Sequence, residues 1–61
     1  MNQSDVTAMC DEAQKTLDLL PEKSLLKASF KWKGQNLVAV GTIFGLRVET
    51  HQGELVARRY D

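Results

Sequence analysis

The stretch Leu26-Lys27-Ala28-Ser29-Phe30-Lys31-Trp32-Lys33-Gly34-Gln35-Asn36-Leu37 decides the fold. Leu26, Ala28, Phe30 and Trp32 alternate with Lys27, Ser29, Lys31 and Lys33. This is the two-residue period of a strand with one buried face and one wet face. Gly34-Gln35 follows, and glycine at the first central position suits a type II′ hairpin turn. That turn sets Trp32 opposite Leu37, Phe30 opposite Ala39 and Ala28 opposite Gly41, so the apolar faces match and the register supports itself. The next strand is apolar on both faces, with Leu37, Ala39 and Ile43 inward and Val38 and Val40 outward. Such a strand reads as a central one.

Beyond Ile43 the parity changes, and Leu46, Val48 and Thr50 alternate with Arg47 and Glu49. Either Phe44-Gly45 is a tight turn, or the strand bends there through a bulge and continues. Phenylalanine at positive φ counts against a type I′ turn. The pairing arithmetic favours a turn, with Ile43 meeting Leu46 and Gly41 meeting Val48. Gln52-Gly53 closes a further hairpin that pairs Thr50 with Leu55 and Val48 with Ala57. The strands are expected at 25–33, 36–43, 46–51 and 54–60.

Toward the N-terminus the period lengthens. Val6, Met9, Cys10, Ala13, Leu17 and Leu20 form one stripe at helical spacing, opposite Asp11, Glu12, Lys15 and Asp18. Ser4 is the expected N-cap, Asp5 suits the positive end of the helix dipole, and Asp11 and Lys15 make an acid-before-base pair one turn apart. Pro21 stops the helix, because the residue before a proline avoids helical geometry. The expected helix spans 5–20, and the expected fold is α+β: an N-terminal amphipathic helix packed on one face of a four-stranded antiparallel meander, in the order α-β-β-β-β.

Sixty-one residues make a single small domain. The 43% hydrophobic and 26% charged fractions are those of a globular chain rather than a disordered one. The opening MNQSDVTAMCDEAQ has neither the basic nor the apolar region of a secretory signal. The longest run without a charge, Gly34 to Leu46, is too short and too polar to span a bilayer. A cytoplasmic location is the expectation, and a lone cysteine is compatible with a reducing compartment. The net charge of zero conceals an uneven distribution: residues 1–23 carry net −3 and residues 24–61 net +3.

No residue set points to catalysis, a cofactor, a metal or a small-molecule substrate, and the chain is read as a non-enzyme. Cys10 lies on the apolar stripe as a small buried hydrophobe. His51 sits beside a turn with no nucleophile or acid to work with. The helix acids read as a solvated face, and Gly41, Gly45 and Gly53 lack phosphate-loop spacing. The informative feature is the outer sheet face, which in this register carries Lys27, Lys31, Lys33, Val38, Val40, Thr42, Arg47, Glu49, Val56, Arg58 and Tyr60. Valines ringed by basic side chains resemble an interaction surface. The expected partner is another protein or a second copy, reached through this face or an edge strand in an adaptor or regulatory role. The candidate contacts are Lys27, Lys31, Val38, Val40, Arg47, Val56, Arg58 and Tyr60. The alternative is nucleic-acid binding by the same basic face. Against it, Phe30 and Trp32 share the parity of the helix-facing side, whereas a stacking platform places aromatics at the centre of the open face.

Overall fold

The computed structural model describes residues 2–21 and 26–60. Helix α1 (Gln3–Asp18) is followed by β1 (Lys27–Trp32), β2 (Gln35–Thr42), β3 (Gly45–Glu49) and β4 (Leu55–Tyr60). The strands form one sheet in the order β1-β2-β3-β4, with every neighbouring pair antiparallel. The expected α-β-β-β-β meander is therefore present. The expected start of the first strand at residue 25 lies outside the described residues.

The helix sits two residues earlier than its apolar stripe suggests. Asn2 rather than Ser4 is the N-cap, and its Oδ1 accepts the Asp5 amide at 2.8 Å. At the other end the Leu19 amide donates to Lys15 O and Thr16 O, so the helix closes before Pro21. Met9, Cys10, Ala13 and Leu17 are buried against Leu37, Ala39, Leu46, Val48 and Ala57. Val6, Leu20, Ala28, Phe30, Trp32 and Val56 pack around that cluster. Ala13 and Ala39 are both fully enclosed, and their small side chains leave room for the helix to lie close to the central strands.

Each turn departs from its expected position for a local reason. The first is Lys33-Gly34 rather than Gly34-Gln35, with φ of 47° and 79°. Two positive φ values define the type I′ geometry, whose twist matches that of the strands. Phe30 consequently faces Leu37, and Ala28 faces Ala39. Each pairing moves by two residues, so the buried face is unchanged. The left-handed Lys33 extends its Nζ to within 3.1 Å of Asp5 Oδ1, and the same nitrogen lies 4.8 Å from the centre of the Trp32 ring.

The second connection is a turn, as the pairing arithmetic favours, but it consists of Ile43-Phe44. Thr42 meets Gly45, and Gly41 meets Leu46. The positive φ falls on Gly45, at 143°, which removes the difficulty of placing phenylalanine there. Thr42 Oγ1 accepts the Phe44 amide and donates to Gly45 O, pinning the turn from inside. Ile43, expected to face inward, stands at the tip and is 93% exposed.

In the third hairpin Val48 pairs with Ala57 as expected. Leu55, however, pairs with Glu49 rather than Thr50. Val56 is the extra residue of the resulting register shift. Thr50 and Glu54 close the loop, through Thr50 N to Glu54 O at 2.9 Å and Glu54 N to Thr50 Oγ1 at 3.1 Å.

Candidate functional site

Strand alternation places the chemistry of the open face in cross-strand rows. Lys27 pairs with Val40, Val40 with Arg47, and Arg47 with Arg58. One row thus crosses all four strands with three basic side chains around a half-buried valine. Beside it run Ser29, Val38, Glu49 and the half-exposed Leu55, a second row across all four strands, and on the far side Thr42, Gly45 and Tyr60. Lys31 stands opposite Asn36. Within β3, Arg47 Nε lies 3.0 Å from Glu49 Oε2. The Arg58 guanidinium lies 5.3 Å from the Tyr60 ring centre, and Phe44 meets Tyr60 at 6.2 Å in a tilted pair.

Of the candidate contacts, Lys27, Lys31, Val40, Arg47, Arg58 and Tyr60 come together on this face. Val38 shares the face but is only 7% exposed, in the floor of a recess whose walls include Lys27, Ser29, Thr50 and His51. Val56 is carried by the register shift into packing with the core cluster. Lys33 leaves the face for its contact with Asp5. The valine centre is therefore reduced to Val40, with Leu55 exposed at the β4 edge, and the face is chiefly basic, with Glu49 set against Lys27, Lys31, Arg47 and Arg58.

The acidic helix does not stand wholly in solvent either. Asp5 reaches Lys33, and Asp11 Oδ1 lies 2.7 Å from Arg59 Nη1. These contacts tie the helix to the first hairpin and the last strand. The expected Asp11–Lys15 pair is replaced by Lys15 with Glu12. Exposed pairs of this kind contribute at most about 1 kcal/mol each.

The edge strands are less inviting than the face. Lysines at 27 and 31 punctuate β1, and β4 combines the irregularity at Val56 with Arg58 and Arg59. Charge and bulges are the devices that keep edges from pairing with another strand.

Cys10 is enclosed among core side chains with 1% exposure. Burial pushes its thiol above the ordinary range, Arg59 pulls it down by its charge, and Asp11 raises it further. A buried thiol with a raised pKa is a poor nucleophile. The native chain is expected to resist an aromatic disulfide reagent at neutral pH and to react at once in denaturant; equally fast reaction in both states would contradict the burial. Among the described residues, no three His, Cys, Asp or Glu side chains gather to hold a metal ion, and no helix is long and apolar enough to cross a membrane.

From the sequence Phe44 is expected in the turn and Ile43 inward, whereas both stand in the β2–β3 turn. Two large apolar residues occupy a two-residue hairpin turn, where Asn, Asp or Gly is the usual choice. No family model, curated protein or solved structure matches the chain.

Proposed function

We propose that this chain is a non-enzymatic protein-interaction module that docks an acidic, partly apolar partner surface on its outer sheet face. The observation that carries this reading is the Lys27–Val40–Arg47–Arg58 row, which crosses all four strands on the side opposite the helix. Basic side chains around an apolar strip favour encounter with acid-rich surfaces and fix orientation on contact. The chain would act as an adaptor or regulator by occupying that surface, and its buried, reduced cysteine suits the cytoplasm. Protein is favoured over nucleic acid because Phe30 and Trp32 pack toward the helix and Tyr60 is engaged by Phe44 and Arg58.

The test is fluorescence anisotropy with two labelled probes of equal charge: a peptide alternating glutamate with valine, and a single-stranded oligonucleotide. The peptide should bind, and Lys27→Glu with Arg58→Glu should weaken it by about tenfold or more, the scale of loss when complementary charges become repulsive. Binding of the oligonucleotide alone would replace this reading with the nucleic-acid one. Binding of neither probe would remove the face as a docking surface.

A further inference from the structure

The recess floored by Val38 gathers polar side chains from two separate strands. Lys27 and Ser29 of β1 form one wall, and Thr50 and His51, just past the end of β3, form the other. Register explains the gathering. Ser29 stands directly across from Val38, and Lys27 lies two residues along the same strand, roughly 7 Å away. Val38 pairs on its other side with Glu49, which Thr50 and His51 follow directly. We infer that this recess binds a phosphomonoester carried by the acidic partner, on a phosphorylated serine or threonine side chain. The site rests on the docking role proposed above, and Lys27 joins it to the Lys27–Val40–Arg47–Arg58 row.

Three observations point to that ligand. The first is the kind of group assembled. Lys27 brings an ammonium, Ser29 and Thr50 bring hydroxyls, and His51 brings a ring N–H, all able to donate. Thr50 Oγ1 accepts the Glu54 amide, which leaves its own proton to donate. Among the described residues, no acidic side chain lines the recess.

The second is that these donors are uncommitted. Lys33, Arg47 and Arg59 each hold an acid of this chain. Among the described residues Lys27 holds none, and neither Ser29 nor His51 makes a side-chain hydrogen bond. The third is the placement of the nearest acid. Glu49 shares the open face, where its charge would repel an anion, but its Oε2 lies 3.0 Å from Arg47 Nε, so that charge is balanced within β3.

The count of donors favours phosphate over carboxylate. A phosphomonoester presents three acceptor oxygens and up to about two charges, whereas a carboxylate presents two oxygens and one charge. An ammonium, two hydroxyls and an imidazole suit the former. A nucleic-acid strand is held through a succession of backbone phosphates, whereas these hydroxyls and the imidazole close on a single recess.

Fluorescence anisotropy with two peptides tests the site: the glutamate–valine peptide, and the same peptide with one central glutamate replaced by phosphoserine. The phosphopeptide should bind about tenfold or more tightly, the scale of added hydrogen bonds to a charged group. Ser29→Ala and His51→Ala should each remove most of that preference and leave the glutamate peptide's affinity unchanged. Both residues are exposed, so the circular dichroism spectrum should be retained. Equal affinity for the two peptides overturns the site and leaves the docking role standing. A preference that survives both substitutions places the phosphate elsewhere and overturns it too. Binding of the phosphopeptide alone, lost in both variants, upholds the site and confines docking to phosphorylated partners. Binding of neither peptide removes site and docking role together. A single-stranded oligonucleotide whose binding depends equally on Ser29 and His51 would assign the recess to a phosphodiester and overturn the inference.

Discussion

Gly45→Ala is expected to leave most of the chain unfolded under conditions where the parent is folded. Gly45 has φ of +143°, a conformation that side chains rarely adopt. A β-carbon there would stand 2.3 Å from Arg59 O and 2.9 Å from Tyr60 Cα. Both atoms belong to the backbone of β4, so nothing can rotate aside, and the strand would have to leave its place. The strain alone costs on the order of 1–3 kcal/mol, and displaced pairing adds to it, against only ~3–5 kcal/mol of stability for a core this small. Gly34 supplies the control. Its φ is also positive, at 79°, but a β-carbon there meets nothing within 4 Å. Gly34→Ala should cost only about 1–2 kcal/mol. Urea unfolding followed by circular dichroism separates the two; equal midpoints would show that β4 does not lie against the β2–β3 turn as described.

The second large effect is expected from Met9→Ala. Met9 is the largest side chain with no exposed surface and belongs to the helix stripe packed on the central strands. Truncation of a buried methionine costs about 2–5 kcal/mol, depending on how far the site collapses. That range reaches the whole stability of a domain this size. Thr7→Ala, on the exposed side of the same helix, should change little or stabilise slightly, because alanine is the better helix former. The fluorescence of Trp32, packed beside the core cluster, reports both. If Met9→Ala proved as mild as Thr7→Ala, the helix would not be packed as described.

The layers were legible in the sequence because each rests on a period. The helical stripe from Val6 to Leu20 and the alternation from Leu26 to Trp32 each fix a buried face, and a slip of two residues along a strand preserves it. Both early turns therefore fall one residue from their expected positions without exchanging inside for outside. Turn position depends on which residue takes a positive φ, and composition ranks these weakly: Lys33 adopts one while Gln35 lies in a strand. The N-cap falls on Asn2 rather than the expected Ser4, because the apolar stripe begins only at Val6 and does not mark where the helix starts.

The open face was legible only in part. Lys27, Val40, Arg47, Arg58 and Tyr60 follow from parity, whereas Val56 does not, since an irregularity beside it breaks the parity. Val38 keeps its side of the sheet but loses its exposure to the recess formed with Thr50 and His51, a tertiary contact that spacing does not encode. The ion pairs Asp5–Lys33 and Asp11–Arg59 likewise join segments far apart in sequence. The uneven charge of the two halves foreshadows them, but it does not say which acid meets which base.

Amide chemical-shift mapping tests docking on the Lys27–Val40–Arg47–Arg58 row. The isotope-labelled chain would be titrated with the glutamate–valine peptide. Perturbations are expected at Lys27, Val40, Arg47 and Arg58, with the amides of Met9, Ala13 and Leu17 left in place. Shifts confined to the helix or to a single edge strand, with that row silent, would contradict docking there.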